Sequence, residues 1–373
     1  MTPGWAARIE RRNNEEGATM RKYAAITGWG SYLPERVLRN QELQDTVDSS
    51  DEWIRARTGI RERRIAAPAE TTSSMCAIAA QRALECSRSS SADIELVICA
   101  TTTPDHMLPP TACIVQQRIG AEQAGTFDLN AACTGFVHAL VVGSQFIQAG
   151  TYRRVMVVAG ETLSRFVNWN DRSTCILFGD GAGAVVLEAT SQPCGIVSSV
   201  LGCRADMEHH LAIEAGGCAR PASAASIAAG DHFITMRGNE VYKFAVRSMV
   251  QATREALTRA ALTIADVRMV LPHQANLRIL DASQAALDLP SEKLFVNLDR
   301  YGNTGAASVA IALSEFLTTT AVEAGDNLLL VAFGGGLTWA SAALRCADVK
   351  AVIAQRGNSR GMATDHPRHK LVA

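Results

Sequence analysis

The chain has 373 residues, about twice the usual size of one domain, so two domains or one large duplicated unit are expected. Hydrophobic residues make up 47% and aromatic residues only 5%, with 28 glycines, which excludes a disordered or fibrous chain and fits an α/β protein with Ala- and Val-rich packing. A formal net charge of −1 leaves no global basic field to hold nucleic acid or an anionic membrane.

Residues 1–19 are charged and lack the apolar run of a signal peptide, so they are expected to form a disordered leader. The first strand pattern is KYAAITGWG, residues 22–30. From there the chain repeats itself. Residues 92–98, ADIELVI, are echoed by ADVRMVL at 265–271. GTFDLNAACTGFVHALVVGSQFI (125–147) is echoed by LFVNLDRYGNTGAASVAIALSEF (294–316), each a strand, a small-residue turn and an apolar helix pattern. RRVMVVAGETLS (153–164) is echoed by NLLLVAFGGGLTWA (327–340). Two similar halves follow, 20–190 and 191–349, each predicted to carry one largely parallel sheet, with 350–373 as a polar tail. No stretch is long enough to span a membrane.

Ligands bind where strands of an α/β sheet lead into helices, so the turns Asn130–Gly135, Pro272–Asn276 and Tyr301–Ala307 deserve inspection, with Gly334–Gly336 beside them. Cys133 lies at the start of a helix, where unpaired N–H groups favour a thiolate and its pKa should fall. Its small neighbours give a substrate carbonyl room. His273 is the single histidine of eight in one of these turns; His138 is expected to pack on the helix after Cys133. Asn303 sits in the turn that matches the Cys133 turn, where its amide can donate a hydrogen bond but cannot act as a base. The glycine run 334–336 can aim a backbone N–H at an oxyanion together with that of Cys133. FGDGAGAVVL (178–187) lacks nucleotide-binding spacing and is expected to be structural. The ten cysteines include no C-x-x-C pair and no zinc spacing, which argues for no metal, no disulfides and a reducing, cytoplasmic home.

DEWIRARTGIRERR (51–64), the Cys133 segment, FGDGAGA, PHQANLRI, GNTGAAS and AFGGGLTW together resemble the β-ketoacyl-[acyl-carrier-protein] synthase III family, in order over about residues 20–348. The resemblance implies a thiolase fold layered αβαβα, a homodimer, and catalysis by Cys133, His273 and Asn303. It further implies an oxyanion hole from the N–H groups of Cys133 and Gly335, and Phe333 as the apolar group promoting decarboxylation. Trp53, Arg57 and Asn239 would hold CoA and its pantetheine arm. Lys243, Gln274, Ala275, Asn276, Leu277 and Arg278 would receive the acyl carrier protein (ACP). Relatives often carry lysines further along that helix where this chain has Ala285 and Ala286, so docking is expected to differ. TTTPDHMLPPT (101–111) resembles the dimer loop that enters the partner's acyl pocket, with Leu108 where many short-chain enzymes have Phe. The implied substrates are acyl-CoA and malonyl-ACP, with no further cofactor. The alternatives are a secondary-metabolism acyltransferase or condensing enzyme on the same scaffold, and a non-catalytic partner subunit.

Overall fold

The computed structural model describes residues 22–360. The leader at 1–19 and the last part of the tail lie outside the described residues.

Nine strands build two sheets with the same plan. The first contains β1 (Tyr23–Tyr32), β2 (Leu96–Ala100), β3 (Gly125–Leu129), β4 (Arg154–Glu161) and β5 (Gly181–Thr190), in the order β1-β5-β4-β2-β3. The second contains β6 (Gly195–Cys203), β7 (Val267–Pro272), β8 (Asn327–Gly334) and β9 (Thr338–Arg345), in the order β7-β8-β9-β6. In the first sheet β2, β3 and β4 run parallel while β5 and β1 are antiparallel to their neighbours; in the second β7 and β8 run parallel while β9 and β6 are antiparallel to theirs. The counterpart of β3 is only an isolated bridge between Val270 and Leu294. The repeat therefore survives as two mixed sheets.

Alternation along the buried strands divides the core into layers. Leu96, Ile98 and Ala100 face one cluster, while Val97 and Cys99 face another. In β8, Leu328, Leu330 and Ala332 join that first cluster, and Leu329, Val331 and Phe333 point the other way. The shared middle layer holds helices α4 (Gly135–Gln148) and α7 (Ala307–Thr319), which are the two echoed helices. Both are buried along most of their length, as expected for helices apolar on all sides. α2 (Thr72–Ser87) and α3 (Thr111–Ile119) cover the first sheet from outside. α5 (Gly238–Ala260) and α6 (Leu277–Ala286) cover the second. The αβαβα layering follows.

α1 (Asp51–Thr58) starts at Ser50, whose side chain accepts from the Trp53 N–H, and stops at Gly59, where φ is 78°. Such an N-cap contributes roughly 1 kcal/mol and sets where Trp53 and Arg57 emerge. FGDGAGA is structural, as expected: residues 181–187 are the buried start of β5. One expectation needs correcting. The region from 350 is not simply a polar tail, because Val349–Arg360 forms α8. Val352 is buried against Ala25 and Cys194, and the Arg356 guanidinium pairs with the buried carboxylate of Glu188. Sparse apolar residues concealed an element held mainly by an ion pair.

Candidate active site

The two halves meet at a cavity of about 420 Å³ lined by Cys133, His273, Asn303, Phe333 and Gly334. They come from four turns or strand ends, with Phe333 and Gly334 sharing the end of β8. Cys133 lies in a short 3₁₀ turn, Ala132–Thr134, just before α4. A side-chain carbon on Gly334 would meet the Cys133 nitrogen at 2.7 Å, so only glycine lets β8 come this close.

Burial pushes the Cys133 thiol up to about 12, and the negative charge of Glu161 adds to the shift. This corrects the expectation of a lowered pKa: in the free enzyme, loss of solvation outweighs the helix start. His273 follows β7, with its backbone N–H donating to the Val331 carbonyl at 2.8 Å. Burial lowers its pKa to about 3, so the ring is neutral. Its Nδ1 is buried without a hydrogen-bond partner among the described residues. A proton there would be a stranded donor, so it belongs on Nε2. The ring meets Phe333 edge to face, with centroids 5.3 Å apart. The Asn303 backbone is clamped on both sides: its N–H donates to the Leu177 carbonyl at 2.8 Å, and its carbonyl accepts from Gly179 at 2.9 Å. Its side-chain Oδ1 accepts from the Gly305 N–H at 2.9 Å, which leaves the Nδ2 protons as the group available to the cavity. The site thus offers one thiol, two neutral hydrogen-bond donors and an apolar ring.

Trp53, Arg57 and Asn239 line the same cavity. Sequence reasoning missed Arg172, which also lines it and lies over the Trp53 ring at 4.7 Å, with Arg57 over that ring at 4.9 Å. Nothing in the DRST context marked it; its role appears only when the loop folds back on α1.

The expected carrier-protein patch divides. Arg278 is exposed, lies 5.8 Å over the Tyr242 ring and reaches the cavity. Lys243 is exposed and paired with Glu240 at 2.9 Å. Asn276 caps α6 by accepting from the Arg278 N–H, and Leu277 is half-buried against Gly59. Gln274 and Ala275 are corrections. Gln274 is 1% exposed, donates to the carbonyls of Pro272 and Phe295, and accepts from the N–H groups of Asn297 and Leu298. Ala275 is buried against the cavity. Neither can meet another protein. Gly335 does not line the cavity; it packs against Leu211, which does. Leu108 is 82% exposed and is also outside the cavity of its own chain. His138 stays on α4, its Nδ1 3.1 Å from the Thr134 carbonyl.

Residues 127–205 and 257–346 match the family models described as 3-oxoacyl-[acyl-carrier-protein (ACP)] synthase III and its C-terminal part. The β-ketoacyl-[acyl-carrier-protein] synthase III of Roseiflexus sp. (strain RS-1) is 51% identical over 326 residues, 87% of this chain and 99% of that protein. The chain belongs to the β-ketoacyl-[acyl-carrier-protein] synthase III family. Among solved structures, the synthase III of Aquifex aeolicus VF5 superposes with a TM-score of 0.80 at 43% identity, covering 86% of this chain and 99% of that one. The priming β-ketosynthase of the R1128 polyketide pathway gives 0.82 at 38% identity, covering 89% and 98%. The synthase III fold is therefore shared across nearly all the described residues. No described helix is long and apolar enough to cross a membrane.

Proposed function

We propose that this chain catalyses decarboxylative Claisen condensation of an acyl-CoA primer with malonyl-ACP through an acyl-Cys133 intermediate, initiating fatty acid synthesis. The observation that carries this reading is the single cavity that gathers Cys133, His273, Asn303 and Phe333.

The primer thioester enters past Trp53, Arg57 and Asn239. The Cys133 sulfur attacks its carbonyl, the C–S bond to CoA breaks, and CoA leaves as its thiol with the proton Cys133 loses. The Cys133 N–H at the cavity wall holds the oxyanion, with Gly335, behind the lining residue Gly334, as the second donor expected from the sequence. Malonyl-ACP then occupies the same cavity, with its carrier received near Arg278 and Lys243. His273 Nε2–H and Asn303 Nδ2–H donate to its thioester oxygen. The apolar face of Phe333 strips water from the malonyl carboxylate, so the C–C bond breaks, CO₂ departs and the electron pair moves into the enolate. A neutral imidazole suits this role, as it donates a hydrogen bond without surrendering a proton. The enolate carbon attacks acyl-Cys133, the C–S bond breaks, and the thiolate is reprotonated as β-ketoacyl-ACP leaves.

The working unit is a cytoplasmic homodimer in which Leu108 of each protomer enters the acyl pocket of the other. It needs no cofactor, nucleic acid or membrane. Leucine in place of a larger aromatic ring admits branched or medium-length primers. Competing acetyl-, isobutyryl- and octanoyl-CoA for Cys133 tests this, and exclusive use of acetyl-CoA contradicts it. A second reading, priming of a polyketide rather than a fatty acid, is favoured by the likeness to the R1128 ketosynthase. Incubation with acyl-CoA and malonyl-ACP tests the chemistry: CO₂ and β-ketoacyl-ACP should form together. An acyl adduct lost in Cys133→Ala would exclude a non-catalytic subunit, whereas acyl transfer without CO₂ would defeat the condensation reading.

A further inference from the structure

Glu161 is the last residue of β4 and is fully buried, yet it does not line the cavity. Its carboxylate gathers three consecutive threonines. Thr103 Oγ1 donates at 2.6 Å, Thr102 donates through its N–H at 3.1 Å and its Oγ1 at 2.9 Å, and Thr101 Oγ1 donates at 3.3 Å. From the other half of the chain, the Ala306 N–H reaches it at 3.4 Å. The Glu161 stem also packs on Gly305, where an added side-chain carbon would lie 2.9 Å from Cγ. Gly305 is the residue whose N–H holds the Asn303 side chain. One carboxylate thus joins the start of the 101–111 loop, which carries Leu108, to the turn that aims Asn303.

We propose that Glu161 is a positioning residue that fixes the Asn303 amide for decarboxylation. The inference rests on the role given to Asn303 above. A hydroxyl can turn to accept, but the N–H groups of Thr102 and Ala306 can only donate. Both point at Oε1, while Thr103 and Thr101 donate to Oε2, so a glutamine keeps the two N–H bonds only by turning its NH2 on hydroxyls that now donate. Burial pushes the Glu161 carboxyl up, while the hydrogen bonds from Thr103, Thr102 and Ala306 draw it back toward the ionised form.

Acylation and decarboxylation should part company in Glu161→Gln, which separates this role from general damage. Malonyl-thioester decarboxylation should fall roughly tenfold or more as the Asn303 turn loosens. Acylation of Cys133 by acyl-CoA, read by intact mass, should stay near that of wild type, as Asn303 acts only in the second half-reaction. Glu161→Asp keeps a carboxylate but withdraws it from Ala306, so decarboxylation should fall with acylation unchanged. Equal losses of both activities, or no loss of decarboxylation, overturn the proposal. Asn303→Ala serves as the control. If it abolishes decarboxylation while Glu161→Gln does not, the inference alone fails; if Asn303→Ala still decarboxylates, the underlying reading fails and the inference goes with it.

Discussion

Gly334, the last residue of β8, lies against the backbone nitrogen of Cys133: a side-chain carbon there would stand 2.7 Å away. A strand end of the second half thereby fixes the height of the thiol in the first.

Gly334→Ala should therefore act on chemistry more than on folding. The alanine methyl cannot fit without pushing the Cys133 turn, and a displacement of about 1 Å at a reacting group costs about 100-fold in rate. Acylation measured by intact mass should drop by about that factor with the circular dichroism spectrum retained. Near-normal acylation would mean that the turn yields freely.

Cys133 should resist ionisation in the resting enzyme. With its pKa raised to about 12 by burial and by Glu161, alkylation should accelerate about tenfold per pH unit from 7 to 10 with no plateau. A plateau below pH 8 would restore the lowered pKa expected from the helix start.

The His273 ring should stay neutral through the working range. Its folded pKa of about 3 lies below its ordinary 6.5, so the unfolded chain takes up the proton first as pH falls. The stability this residue contributes is complete above about 6.5 and is lost between there and 3, at up to ~1.4 kcal/mol per pH unit. Denaturant titrations of wild type and His273→Ala should diverge in that window, with the variant less sensitive to acid. A ring carbon signal that titrates near pH 6.5 would contradict the burial argument.

Much of this was legible in the sequence because it is carried by local pattern. The echoed segments at 125–147 and 294–316 place α4 and α7 back to back, and the turns before them hold Cys133 and Asn303. What escaped depends on contacts distant along the chain. Glu161 meets threonines about sixty residues away, and in GETLS nothing distinguishes it from a surface turn residue. Arg172 meets Trp53 only after folding. Gln274 looks like any polar loop residue until its four partners are seen, and its burial removed it from the docking surface.

Trp53, which lines the cavity with the guanidinium groups of Arg57 and Arg172 close to its ring, should bind the adenine end of CoA. Stacking of a base on an aromatic ring is worth about 1–3 kcal/mol, so Trp53→Ala should raise the KM for acyl-CoA by roughly 5- to 150-fold with kcat little changed. Arg172→Ala should do the same to a smaller degree. A fall in kcat alone would move Trp53 from binding to chemistry.

The most direct test takes the reaction apart at the protein itself. Mass spectrometry should find acyl-CoA loading one acyl group on Cys133 in wild type, His273→Ala and Asn303→Ala, and none in Cys133→Ala. On addition of malonyl-ACP, wild type alone should discharge that group with release of CO₂. An adduct on another residue, or failure of the His273 and Asn303 variants to acylate at all, would contradict the division of labour proposed for the three side chains.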